Sequence, residues 1–276
     1  MLATSVLTEA DVEPRDAGVL VEGHLLIGWD ELAEASYDGG PAHPDRPDWA
    51  PVARWLRTRA VLARLGPEGL AERARPLGLP VGHMLHPGPS WVREAVLGGA
   101  LELGLGYTGL AVDADPGLLR VEVLDDRALR AAGFDPAQLW PEARTYLERI
   151  GAVAAGRLRP HGRGSELVLR PVGDAEVTTL LGARGFRAAL AGADGTGMRA
   201  VAVPMRERGW LDLRAIDPAF APAAAAATTA ERRGFPGPVL VTADEVSLIP
   251  ATTAPARLVL RDPAPVESAL PDVLYR

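Results

Sequence analysis

Three residue types are missing from this chain: its 276 residues include no cysteine, no lysine and no asparagine. Without cysteine it can form no disulfide, thiolate nucleophile, iron–sulfur cluster or cysteine zinc site. Without lysine it can form no Schiff base and offers no Walker-type lysine to a nucleotide's phosphates. Pyridoxal-phosphate enzymes, P-loop NTPases and protein kinases are thereby set aside. All 29 basic residues are arginine, and alanine, glycine, proline, leucine and valine abound. Lysine and asparagine codons are AT-rich, so the skew reads as a high-GC bacterial composition. The chemistry that remains belongs to Asp, Glu, five His, Ser, Thr, Tyr and Arg.

Long hydrophobic runs are also lacking. The richest apolar stretch, residues 95–106, is interrupted by Glu102, and nothing approaches the ~18 residues that a membrane helix needs. The first residues show no basic segment followed by an apolar one, so no secretory signal is expected and the default location is the cytoplasm. The formal net charge is −7, and it is unevenly spread. Residues 1–50 carry eleven acids against Arg15 and Arg46, a net of −9, while the remainder is close to neutral. Nucleic acid and anionic membranes are therefore not expected as main partners. An acidic segment of this kind suits a basic protein or small-molecule partner.

The pattern of residues implies an α+β fold, with a helix-rich N-terminal portion packed against a strand-rich, mainly antiparallel C-terminal portion. Residues 17–29 read as a hairpin around Glu22-Gly23. Residues 36–48, dense in Gly, Pro and Asp, read as a loop. A helix is expected over about 49–65, Trp55, Leu56 and Leu62 sharing an apolar face and Arg54, Arg57 and Arg64 lying opposite. A second, apolar nearly all round, is expected from Ser90 to about Leu103, and a third over 139–155. Residues 118–126 alternate like a strand. The basic, Gly-rich residues 156–164 are the expected connector between a 1–155 portion, with its N-terminal hairpin, and a 165–276 portion, unless the two form one compact domain. Beyond it, 166–172 reads as a strand, 174–185 as a helix, and 186–192 with 198–205 as strands flanking a turn. Residues 238–250 read as a hairpin turning at Ala243-Asp244, and 256–262 as a last strand.

Four groups of residues could carry chemistry. Gly104, Gly106 and Gly109 spell G-x-G-x-x-G, but the expected order of helix before and strand after is the reverse of a dinucleotide site. A turn without a nucleotide is the reading, and no cofactor is expected. His83 and His86 in one Pro/Gly-rich stretch, with His43 and Asp45 in the 36–48 loop, are weak candidates for acid–base catalysis. Their spacing is no recognised ligand pattern, so no metal is expected. Arg157, Arg159 and Arg163 form the densest basic run, a weak candidate for binding an anion. Arg59 is another, since it falls on the apolar side of its helix, between Val52 and Trp55. A guanidinium placed there needs a partner, and Glu22, Asp30 and Glu31 are the nearest rich source. Replacing Arg59 with Ala is expected to cost about 3–5 kcal/mol, because it strands the partner's charge as well as removing its own.

Two functions fit these residues. One is a non-catalytic binding or adaptor protein with an acidic N-terminal segment. The other is a hydrolase-like enzyme using His, Asp and Glu from the loops at 36–48 and 82–90.

Overall fold

The computed structural model describes residues 11–35, 50–83, 88–108, 121–158, 168–193, 195–211 and 233–249. Its first element is a meander of three antiparallel strands, β1 (Val12–Arg15), β2 (Gly18–Val21) and β3 (Leu25–Gly28). The β2–β3 turn needs positive φ at Glu22 (52°) and Gly23 (69°), which glycine adopts freely and glutamate does not. The Glu22 carboxylate is held by an ion pair with Arg64.

The meander is amphipathic with a period of two. Val12, Val19, Val21 and Ile27 are buried against helix α1 (Trp29–Ala35) and the first half of helix α2 (Ala50–Arg73), where they meet Leu32, Trp55, Leu56 and Ala60. Helix α2 breaks at Gly66, which adopts φ 68°, and Pro67 opens the second stretch, where a missing N–H costs little. The first stretch thus matches the expected 49–65 helix. Arg64 is exposed as expected, whereas Arg54 is half-buried and engaged in contacts.

A second antiparallel sheet has β4 (Ala74–Pro80), β6 (Leu101–Tyr107) and β5 (Arg93–Leu97) in that order, with β7 (Glu122–Val123) also on β6. The helix expected from Ser90 to Leu103 is therefore a hairpin of β5 and β6. Gly98 and Gly99 take positive φ at its turn (57° and 73°). Every residue of β6 is buried, and a strand covered on both faces reads as continuously apolar, as a buried helix does.

The glycine motif is corrected by the same finding. Gly104 and Gly106 lie inside β6, not in a turn, and Gly109 lies outside the described residues. The Trp91 indole crosses the strand over Gly104 and donates its Nε1–H to the Leu105 carbonyl (2.9 Å), leaving no room for a Cβ at Gly104. The backbone carbonyl of Glu122 similarly occupies the space beside Gly106.

Helix α3 (Asp126–Ala131) is capped by Asp125, a fully buried carboxylate that accepts from the backbone N–H groups of Arg127 (3.0 Å) and Ala128 (3.2 Å). A 3₁₀ turn (Pro136–Leu139) leads into helix α4 (Trp140–Arg157), the element expected over 139–155.

The third sheet has the order β12-β11-β9-β10-β8, built from β8 (Val168–Leu169), β9 (Met198–Met205), β10 (Arg208–Trp210), β11 (Val239–Thr242) and β12 (Val246–Leu248). Its ladders are antiparallel, and β11 and β12 form the hairpin expected at Ala243-Asp244. Two helices precede β9: α5 (Val177–Leu180) and α6 (Arg184–Gly192). Residues 186–192 were expected as a strand and are helical instead. Phe186, Arg187, Leu190 and Ala191 are buried, a stripe of helical spacing rather than alternation. The expected turn at 193–197 consequently joins a helix to a strand.

The fold class is α+β with antiparallel sheets. The largest apolar cluster joins Leu101 and Leu103 of β6 and Leu147, Ile150 and Ala154 of α4 to Phe186, Leu190, Val201, Val203, Val239 and Val246. It draws on both sides of residues 156–164. Among the described residues no helix is long and apolar enough to cross a membrane. The residues expected as a loop at 36–48 and a strand at 256–262 lie outside the described residues.

Candidate functional site

The solvent face of the meander is set by its register. Glu13 of β1 lies opposite Leu20 of β2, and Leu20 opposite Leu26 of β3. Directly opposed residues share a face, so Glu13, Leu20 and Leu26 form one outward row. The next row is Arg15, Gly18 and Gly28, where the two glycines offer no side chain. Leu26 is 53% exposed and Trp29, just past β3, 48%. The Trp29 indole N–H donates to the Asp16 carbonyl in the β1–β2 turn (3.1 Å), which fixes the ring across that end of the sheet.

The carboxylates of residues 11–35 fall into two sets. Glu13 is paired with Arg15, Glu22 with Arg64, and Glu31 with Arg59. Asp11, Asp16, Asp30 and Glu34 are exposed and have no cationic partner among the described residues. Asp16 and Asp30 adjoin Trp29 directly, the first through its carbonyl and the second along the chain. Asp30 and Glu31 also fall in the first turn of α1, where a negative charge is favoured. An exposed tryptophan with two unpaired carboxylates beside it, on a meander that also exposes a leucine, forms a surface suited to an apolar, cationic ligand.

The other candidates are differently placed. His83 is buried, and its Nε2 lies 2.7 Å from the Arg233 carbonyl. A carbonyl only accepts, so Nε2 carries a proton there. The contact ties the end of β4 to the segment beside β9, since Arg233 bridges Met205. His86, His43 and Asp45 lie outside the described residues. Among the described residues no group of three or more His, Asp or Glu is arranged to hold a metal ion.

Arg59 is 9% exposed. Its Nη1 sits 3.3 Å from Glu31 Oε1 and its guanidinium 5.3 Å from the centre of the Trp55 ring. The Glu31 contact is an ion pair by distance but not a directed hydrogen bond. Arg157 closes α4 and donates to the Pro171 carbonyl (3.4 Å). Arg159 and Arg163 lie outside the described residues.

No protein-family model matches this sequence, and neither the curated proteins nor the solved structures give a match. The reading of the site therefore rests on its residues.

Several polar residues that matter were not singled out in the sequence. Arg187 is buried in α6, where Nη1 donates to the carbonyls of Leu181 (2.8 Å) and Gly182 (2.7 Å) and Nε to that of Ala243 (3.1 Å). Burial pushes its guanidinium below the ordinary arginine value, and the Glu148 and Asp244 carboxylates offset part of that. Glu148 also accepts from the first backbone N–H groups of α6, Arg184 (2.9 Å) and Gly185 (3.2 Å). Buried Glu102 accepts from Arg93 at 2.6 Å. A period-of-3.6 count through 184–192 is the signal that finds Arg187, because it puts an arginine beside Phe186 and Leu190. Glu102 shows locally only as a carboxylate inside the richest apolar run, and its burial beside Arg93 depends on strands brought together by the fold.

Proposed function

We propose that this protein acts by binding a basic partner through the acidic, partly apolar face of its N-terminal meander, rather than by catalysis. One observation carries the reading: Trp29 is exposed beside Asp16 and Asp30, which have no cationic partner among the described residues, and Leu26 is exposed on the same meander. Exposed apolar area rimmed by a single sign of charge is the mark of an interaction surface, and the charge would steer a basic partner toward it. The buried ionisable groups support the same reading. Arg59, Glu102, Asp125 and Arg187 are each tied to an internal contact that orders the fold. A cytoplasmic setting and an unidentified protein or small-molecule partner belong to this proposal.

The test is a thermal-shift panel of oligoarginine, inorganic phosphate, nucleotides and divalent metals, run beside chromogenic ester and phosphate substrates. Oligoarginine should raise the melting temperature at low salt and lose its effect at high salt. It should also lose its effect when Asp11, Asp16, Asp30 and Glu34 are replaced together by their amides. Turnover of a chromogenic substrate that disappears in His83→Gln would overturn the reading in favour of an enzyme.

A further inference from the structure

We infer that the open edge of β3 takes an extended, basic segment of a partner protein as a fourth strand of the meander. The inference rests on the binding role proposed above and names its geometry. The sheet has two edges, β1 and β3, because its order is β1-β2-β3. The edges are built differently. Strand β1 reads Val-Glu-Pro-Arg: it carries a proline, which has no N–H to offer, and two charged side chains. Those are the usual means of stopping another chain from pairing. Strand β3 reads Leu-Leu-Ile-Gly and has none of them. It pairs with β2 on one side, and among the described residues no strand takes its other side.

Two edges of the other sheets, β5 and β12, are guarded. Strand β5 carries Arg93 and Glu94 and a register irregularity between Arg93 and Ala95. Strand β12 is three residues long and is met by the β5–β6 turn, where Ser247 Oγ donates to the Gly98 carbonyl (3.2 Å). An uncharged, apolar edge beside an exposed Leu26 is an aggregation hazard unless something uses it.

Charge decides the occupant. At the end of β3, Asp16 lies against Trp29 and Asp30 follows it in the chain, both without cationic partners among the described residues, and the first fifty residues carry a net of −9. A second copy of this chain would bring the same acidic face to the edge and repel it. A segment with alternating apolar and basic side chains gains on each count. Its backbone pairs with β3, one set of side chains extends the apolar row from Leu20 and Leu26, and the other reaches the carboxylates.

The experiment is a calorimetric titration of the full chain with a peptide of alternating arginine and valine. Three comparison peptides are run beside it: one N-methylated at every amide, so that neither edge can donate, one of alternating glutamate and valine, and one of alternating arginine and serine. The arginine–valine peptide should bind, weakening about tenfold or more at high salt. The N-methylated and glutamate peptides should fail, the first because its edge cannot pair. Leu26→Asp, on the solvent face where folding is not at stake, should raise the dissociation constant about tenfold, equivalent to ~1.4 kcal/mol. Equal binding of the N-methylated peptide, or of wild type and Leu26→Asp, would overturn strand addition at β3 while leaving a basic partner in place. Failure of every arginine peptide would overturn both the inference and the binding role beneath it. Self-association abolished by Leu26→Asp would assign the edge to a second copy and overturn the inference alone.

Discussion

Replacing Arg59 with Ala tests how α1 is fastened to α2. Its guanidinium stacks 5.3 Å above the Trp55 ring and lies 3.3 Å from Glu31, with side-chain exposures of 10% for Arg59 and 36% for Glu31. The asymmetry fixes the magnitude. Glu31 is over a third exposed, so losing its partner strands no buried charge, and the pair is worth about 0.5–1 kcal/mol. The stacking adds about 0.5–1 kcal/mol. Burial of the aliphatic stem adds about 0.8 kcal/mol for each of the two methylenes that truncation to Ala removes from a side chain only 10% exposed. The total is about 3 kcal/mol, at the low end of what a fully buried pair would cost. Denaturant melts of Arg59→Ala, Glu31→Gln and the double variant separate the parts. Glu31→Gln alone should cost about 0.5–1 kcal/mol, with a coupling of similar size. Arg15→Ala, whose side chain is 52% exposed, is the control and should stay within about 0.5 kcal/mol. A loss in Arg59→Ala no larger than in Arg15→Ala would refute the packing argument. A coupling above about 3 kcal/mol would refute the treatment of Glu31 as solvent-screened.

Three further outcomes follow from buried groups. Gly104→Ala should lower stability by about 1–3 kcal/mol in chemical melts, because the added methyl meets the Trp91 ring; an unchanged midpoint would show that Trp91 does not cover β6. Asp125→Ala should cost about 2 kcal/mol, since it uncaps α3 and leaves two buried N–H groups unbonded. Its neighbour Asp126, in an exposed pair with Arg130, should matter by less than about 0.5 kcal/mol, and equal effects of the two would contradict the cap. Arg187→Met keeps the apolar stem but strands three carbonyls, and should cost about 2–3 kcal/mol by thermal or chemical unfolding; a variant as stable as wild type would show that relief of the buried charge outweighs those bonds.

The parts of the fold that were legible in the sequence are those fixed by local chemistry. Glu22-Gly23 marked the first hairpin, the apolar face of Trp55, Leu56 and Leu62 marked the first stretch of α2, and the apolar spacing of Leu147 and Ile150 marked α4. What escaped was decided by packing at a distance. Strand β6 is apolar nearly throughout because layers cover both its faces, and its glycines are small because Trp91 and Glu122 lie against them. A count of residues cannot distinguish that from a buried helix. Helix α6 was misread because the short run 186–192 fits alternation as well as helical spacing, and only its contacts decide between them. Arg59 was legible as an arginine needing a partner, because helical spacing alone puts it beside Trp55. The acidic excess of the first fifty residues was legible too. That four of those carboxylates stay without cationic partners among the described residues, two of them beside Trp29, depends on how the strands and helix come together and could not be counted from composition.

The most direct test of the binding face is hydrogen exchange on the full chain, with and without the arginine–valine peptide. Amides of β3, Leu25–Gly28, lie at a sheet edge and should be among those that exchange readily in the free protein. The account predicts that the peptide slows exchange there and in the first turn of α1, and leaves the β5–β6 hairpin and the segment around His83 unchanged. Protection centred on His83 and Arg233, with β3 unaffected, would contradict it.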